Sequence, residues 1–212
     1  MTQPYRPRTS GAAAAVALLL MALTLVACGD DPKAPATTAP DGFTVMSDDK
    51  EGFALAVPSD WTPIPLSNDP DEFNRNANAL RLANPRLASI LNQARILGQA
   101  GGKFMAVDPE GSRSINLTVD KPDQETLDEV VQASITALTE FGAKNIAQEP
   151  TTLAGKTAIK LTFQLPVQTD DGVVDTDETQ HYLLEDDKAY ILSMLATPPE
   201  VISAVVSSFR IR

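Results

Sequence analysis

One cysteine (Cys28), one histidine (His181) and one tryptophan (Trp61) occur in 212 residues. A single cysteine has no partner for an intramolecular disulfide. One histidine and one thiol also fall short of the clustered His and Cys ligands of a transition-metal centre. Any Ser-His-Asp site would have to run through His181, and no serine stands in a G-x-S-x-G elbow. Neither G-x-x-x-x-G-K nor G-x-G-x-x-G is present, so nucleotide phosphates have no glycine-rich cradle. Aromatic residues are 5%, which is thin for the stacking platforms usual in sugar sites. Basic residues are scarce as well: 17 Lys and Arg face 28 Asp and Glu, a net charge of −11. A surface of that sign repels nucleic acid, whose phosphates have to be neutralised by Lys and Arg. The carboxylates are plentiful, but Asp48-Asp49-Glu51, Asp170-Asp171, Asp175-Asp177-Glu178 and Glu185-Asp186-Asp187 all read as solvated acids at turns. None follows the oxygen spacing of an EF-hand. The expectation is no enzyme, no metal and no cofactor.

What the chain does have begins with the apolar run Ala12–Cys28, preceded by Arg6 and Arg8 and by no acid. It is shorter than the roughly 20 residues of a bilayer-spanning helix. The acids Asp30 and Asp31 follow it in place of a basic stop-transfer cluster. A basic head, a short apolar middle and a small-residue exit describe a secretory signal. The exit, Leu25-Val26-Ala27-Cys28, resembles the lipobox of bacterial lipoproteins at all four positions. That resemblance implies cleavage before Cys28, thioether diacylation of Cys28 with palmitate-type chains, and residence on the outer face of the cytoplasmic membrane. Two chains are needed, because one gives only marginal attachment. Loss of residues 1–27 leaves 15 bases against 28 acids, a charge of −13. Residues 28–41 follow as a Pro-rich, polar tether, biased to polyproline II and reaching on the order of 40 Å when extended. Residues 42–212 form one domain, large enough to fold without metal or disulfide.

Within that domain Phe43–Met46 and Phe53–Val57 read as a hairpin around Ser47–Gly52. Pro63, Pro65 and Pro70 keep the next stretch irregular. From Asp71 to Ala100 the spacing of Phe73, Ala77, Leu80 and Ala83, then of Leu87, Ile90, Leu91, Ala94 and Leu97, is helical. Asn84-Pro85 reads as an N-cap with proline at the first helical position, giving two helices or one kinked helix. Lys103–Val107 and Ser114–Asp120 flank an Asp108–Gly111 turn, and Asn116 and Thr118 make one face of the second strand wet. Thr126 and Glu129 have capping-box spacing, and the stripe from Leu127 to Phe141 stops at Gly142. Thr157–Leu165, Glu178–Leu184 and Ala189–Leu195 are strands, the last apolar on both faces and so central. His181 is expected exposed or at a strand edge. Pro198-Pro199 opens a final helix carrying Val201, Ile202, Val205 and Val206.

Strands punctuated by helices and joined by hairpins indicate an α+β fold, a single domain with an antiparallel sheet packed against helices. The pattern Gly52-Phe53-x-Leu55-x-Val57-Pro58-x-x-Trp61 resembles the start of PsbP-like domains. So do the Leu153-Ala154-Gly155 turn, the Tyr182/Tyr190 hairpin and the closing Ser207-Ser208-Phe209. The likeness spans roughly residues 42–212 and extends to exported actinobacterial lipoproteins of that fold; the 71–102 helices are an addition to the plain pattern. It implies a non-catalytic binding or assembly module at the cell envelope, with the membrane and an envelope protein as partners. The alternative is a carrier or sensor of an apolar, lipid-like molecule, lodged beneath the helices of 71–102.

Overall fold

The computed structural model describes residues 37–212 except 68, 170 and 171. The signal segment 1–27, Cys28 and the tether as far as residue 36 lie outside the described residues. The chain order is β1 (Phe43–Asp48), β2 (Phe53–Pro58), β3 (Thr62–Pro63), α1 (Pro70–Ala83), α2 (Ala88–Gln99), β4 (Gly102–Val107), β5 (Ser114–Asp120) and α3 (Leu127–Glu140). There follow β6 (Lys144–Leu153), β7 (Lys156–Thr169), β8 (Gly172–Glu185), β9 (Lys188–Leu195), α4 (Pro199–Ser208) and β10 (Arg210–Ile211). All strand pairs are antiparallel, and they form two sheets, β1-β2-β10 and β3-β4-β5-β9-β8-β7-β6. The fold is α+β, with β9 central between β5 and β8 as its two apolar faces demand.

Strand alternation divides the side chains of the large sheet between two faces. Ile115, Leu117 and Val119 of β5 share one face with Tyr190, Leu192 and Met194 of β9. They form one core with Phe53, Leu55 and Val57 of β2, with Trp61, and with Val205 and Phe209 at the end of α4. The rings of Phe53 and Phe104, and of Tyr190 and Phe209, meet edge to face at 6.4 Å, the favoured offset for aromatic pairs. Ser208 Oγ accepts the Ala56 N–H at 2.9 Å, tying α4 to β2.

The other face carries two separate apolar clusters. Phe73, Leu87, Ile90, Leu91 and Ala94 of the α1–α2 segment pack on Ile64 and on Met105 and Val107 of β4. Val130 and Val131 of α3 pack on Ile159, Leu161 and Phe163 of β7 and on Tyr182 of β8. Among the described residues, all three clusters are built from residues beyond Gly42.

Helix starts follow the side chains that satisfy the first-turn amides. Thr126 Oγ1 accepts the Glu129 N–H at 3.3 Å, and Glu129 Oε2 accepts the Thr126 N–H at 3.1 Å, closing the expected capping box of α3. The cap-plus-proline device occurs one helix earlier than the sequence suggests. Asp69 caps α1 through Oδ1 at 2.9 Å from the Asp71 N–H, and Pro70 occupies the first helical position. Asn84 is therefore the C-cap of α1, its N–H bonded to Leu80 O at 2.8 Å. Pro85–Leu87 is a 3-10 turn, and α2 begins after it with no side-chain cap. Phe141 also departs from expectation. It lies one residue past α3, where the chain turns into Gly142 at φ +84°, and it is 77% exposed.

Candidate functional site

Between the two helix-covered clusters, strands β5, β9 and β8 present polar side chains on the face where a continuous core would need apolar ones. The register makes the strip explicit. Asn116 of β5 is opposite Ser193 of β9, which is opposite Gln180 of β8. In the next row toward the β7–β8 tip, Ser114 is opposite Leu195, which is opposite Glu178. Thr118 extends the strip the other way. Ser114, Ser193 and Glu178 are buried, while Asn116, Thr118 and Gln180 are half-buried. Burying this many polar groups costs stability unless they find partners.

Part of the partnering is internal. The Tyr182 hydroxyl donates to Gln180 Oε1, and Gln180 Nε2 donates to Glu178 Oε1 at 2.7 Å. Burial pushes the Tyr182 phenol up to about 12, despite a hydrogen bond with the Ser134 hydroxyl on α3. Burial also raises Glu178 above the usual carboxylate range, against the opposing effect of Gln180. At the α2 side of the strip a groove of about 290 Å³ opens, with Gln93 and Leu97 of α2 facing Asn116, Glu178, Leu165 and Leu195.

Glu178 corrects the sequence reading most sharply. The sequence places it at a solvated turn, but β7 and β8 are each 14 residues long, so Asp175, Asp177 and Glu178 lie within a strand. Glu178 is 8% exposed. Since its folded-state pKa is raised, its contribution to stability is full below the unfolded carboxylate value and is lost as pH rises through the folded value. Glu178→Gln is therefore expected to raise the urea midpoint at pH 8 and to leave it nearly unchanged at pH 4. A midpoint that falls at pH 8 would contradict this placement of the carboxyl.

Four of the other acids are engaged by lysines. Lys103 pairs with Glu51 at 3.0 Å, Lys121 with Asp187 at 2.6 Å, Lys144 with Asp175 at 2.8 Å, and Lys156 with Glu185. No three His, Cys, Asp or Glu side chains among the described residues are grouped to hold a metal ion. Cys28, the sequence's one proposed modification site, lies outside the described residues.

His181 is neither exposed nor at an edge. It sits in β8 between Lys160 of β7 and Leu192 of β9, on the face opposite the polar strip, and is 4% exposed. Neither ring nitrogen has a hydrogen-bond partner among the described residues. Burial, with the nearby Lys160 charge, lowers it to about 4. The residue faces a core, so it reaches neither Ser114 nor Ser193 as a base.

Sequence reasoning finds Asn116 and Thr118 through alternation in β5. It misses Gln180, Ser193 and Glu178, because one polar residue in an apolar strand gains meaning only when register places it beside two others.

No protein-family model matches the chain, and no curated protein matches it. Among solved structures, cyanobacterial PsbP (CyanoP) from Synechocystis sp. PCC 6803 is similar over 84% of this chain and 98% of its own, with a TM-score of 0.53 and 13% identity. LpqN, described as involved in cell envelope biogenesis of Mycobacterium tuberculosis, aligns over 86% of each chain, with a TM-score of 0.37 and 11% identity. At such identity the first likeness is one of fold: this is an α+β chain with a PsbP-like architecture.

Proposed function

We propose that the chain is a lipoprotein held outside the cytoplasmic membrane by acyl chains on Cys28, whose folded domain binds an envelope component without transforming it. The observation that carries the binding reading is the strip from Asn116 to Glu178, which offers hydrogen bonds and one carboxyl but no nucleophile paired with a base. Acyl transfer needs such a pair held in mutual reach. The buried His181, on the other face, does not supply it. The anchoring reading is supported by the Leu25–Cys28 motif and the short apolar run before it. No helix among the described residues is long and apolar enough to cross a membrane.

A second reading is a carrier or sensor of an apolar envelope molecule. Phe73, Leu91, Ala94, Met105 and Val107 pack together between α1–α2 and β4. What favours a small ligand is the groove beside that core, along Leu97, Leu165 and Leu195.

Fractionation tests the anchor. Cys28→Ala is expected to lose the extractable lipid form, and a variant that remains wholly membrane-bound with the mobility of the wild type would remove the proposal. Crosslinking in intact membranes tests the binding reading: an envelope partner attached at β5 or β9 is expected. Turnover of generic ester or glycoside substrates by the purified domain would overturn it.

A further inference from the structure

The groove beside α2 contains one feature that packing does not explain. Glu178 is more than nine-tenths buried, yet only Oε1 is engaged, by Gln180; Oε2 accepts no hydrogen bond from any described residue. No Lys, Arg or His among the described residues forms an ion pair with it. Oε2 is not among the fully enclosed unpartnered atoms, so it is left open to the groove that Glu178 lines, and a carboxyl this buried without a cation is still costly. The neighbours that frame it are uncharged: Phe163 on β7, Leu195 on β9 and Gln93 on α2.

We propose that this groove binds a protonated amine carried on an apolar stem, with the Glu178 carboxylate as its counter-ion. An ammonium has three N–H donors. Glu178 Oε2 takes one, and Asn116 and Ser114, which line the same groove, carry side-chain oxygens to take others. Leu97, Met105, Leu165 and Val167 form apolar walls for the stem. The space of about 290 Å³ suits a short chain and is at the small end of ligand pockets. The protein's net charge of −11 draws cations toward it. Binding restores the ionised form of a carboxyl that burial otherwise disfavours. The proposal rests on reading the domain as a binding module, and names the ligand class for it.

The test uses the chain from residue 29 onward, which keeps all three cores, titrated calorimetrically with n-hexylammonium, hexanol and hexanoate. Hexylammonium is expected to bind at least about tenfold more tightly than hexanol, as a hydrogen bond to a charged group warrants. Hexanoate is expected to give no heat. Glu178→Gln should bring hexylammonium to the level of hexanol while the fold persists. Gln93→Lys, which supplies an ammonium from α2 itself, should abolish the preference and raise the melting temperature. Equal binding of hexylammonium and hexanol, an unchanged preference in Glu178→Gln, or no binding of any probe would overturn the proposal. Those failures would leave the lipid anchor and the envelope partner standing, since these are tested at Cys28 and by crosslinking.

Discussion

Replacing Phe209 with alanine is expected to remove about 4 kcal/mol of folding stability, the middle of the range for buried aromatic truncations. Phe209 is fully buried at the end of α4, and its ring meets Tyr190 edge to face at 6.4 Å. It also shares a core with Phe53 and Leu55 of the small sheet, and the next residues, Arg210 and Ile211, pair with Ala54 and Phe53. One side chain thus joins α4, the small sheet and the large one, and its removal leaves a cavity that three elements would have to close together. Domains of this kind are stable by only about 5–15 kcal/mol, so the change takes a large share. Urea unfolding checks it, with the midpoint falling and the slope held. Phe141→Ala is the control: that ring is 77% exposed, and the expected change is within about 0.5 kcal/mol. A Phe209→Ala loss below about 1 kcal/mol would mean that the core around α4 is not closed as described.

Acid should destabilise the fold through His181 before most surface groups matter. Its folded value is about 4, against 6.5 for a free imidazole, because burial and then Lys160 oppose the charged form. Between those two values the unfolded chain binds a proton that the folded chain refuses, so stability falls as pH falls through that window. The full drop is about 3 kcal/mol, since each pH unit between the two values is worth about 1.4 kcal/mol. Glu178 works in the opposite sense, losing its contribution as pH rises through its raised folded value. His181→Leu isolates the histidine: the variant's stability, compared with wild type at pH 6.5 and at pH 4, should show the acid loss shrink by about that amount. Parallel pH profiles for the two proteins would contradict the burial of the ring.

The sequence is legible wherever local chemistry decides structure. The 43–57 hairpin, the Thr126–Glu129 capping box, the β5 boundaries and the final helix all follow from spacing and caps that neighbouring residues settle among themselves. It misleads where distant strands decide. Glu178 and His181 are polar residues in a strand that gains partners on both sides, β7 and β9, and only that pairing buries them. Alternation gives Asn116 and Thr118 a wet face, but nothing in β5 shows that Ser193 and Gln180 continue it. Asn84-Pro85 misleads for a different reason: Asp69-Pro70 offers the same cap and the same fixed φ one helix earlier, and a 3-10 turn absorbs the second proline.

The proposed role, binding at the membrane's outer face, depends on where the domain is held, so the state of Cys28 is the most direct question. The intact mass of the protein extracted from membranes answers it. The expected result is a chain beginning at Cys28 and carrying a diacylglyceryl thioether. A chain that retains residues 1–27, or one that begins at Cys28 with a free thiol, would contradict the proposal.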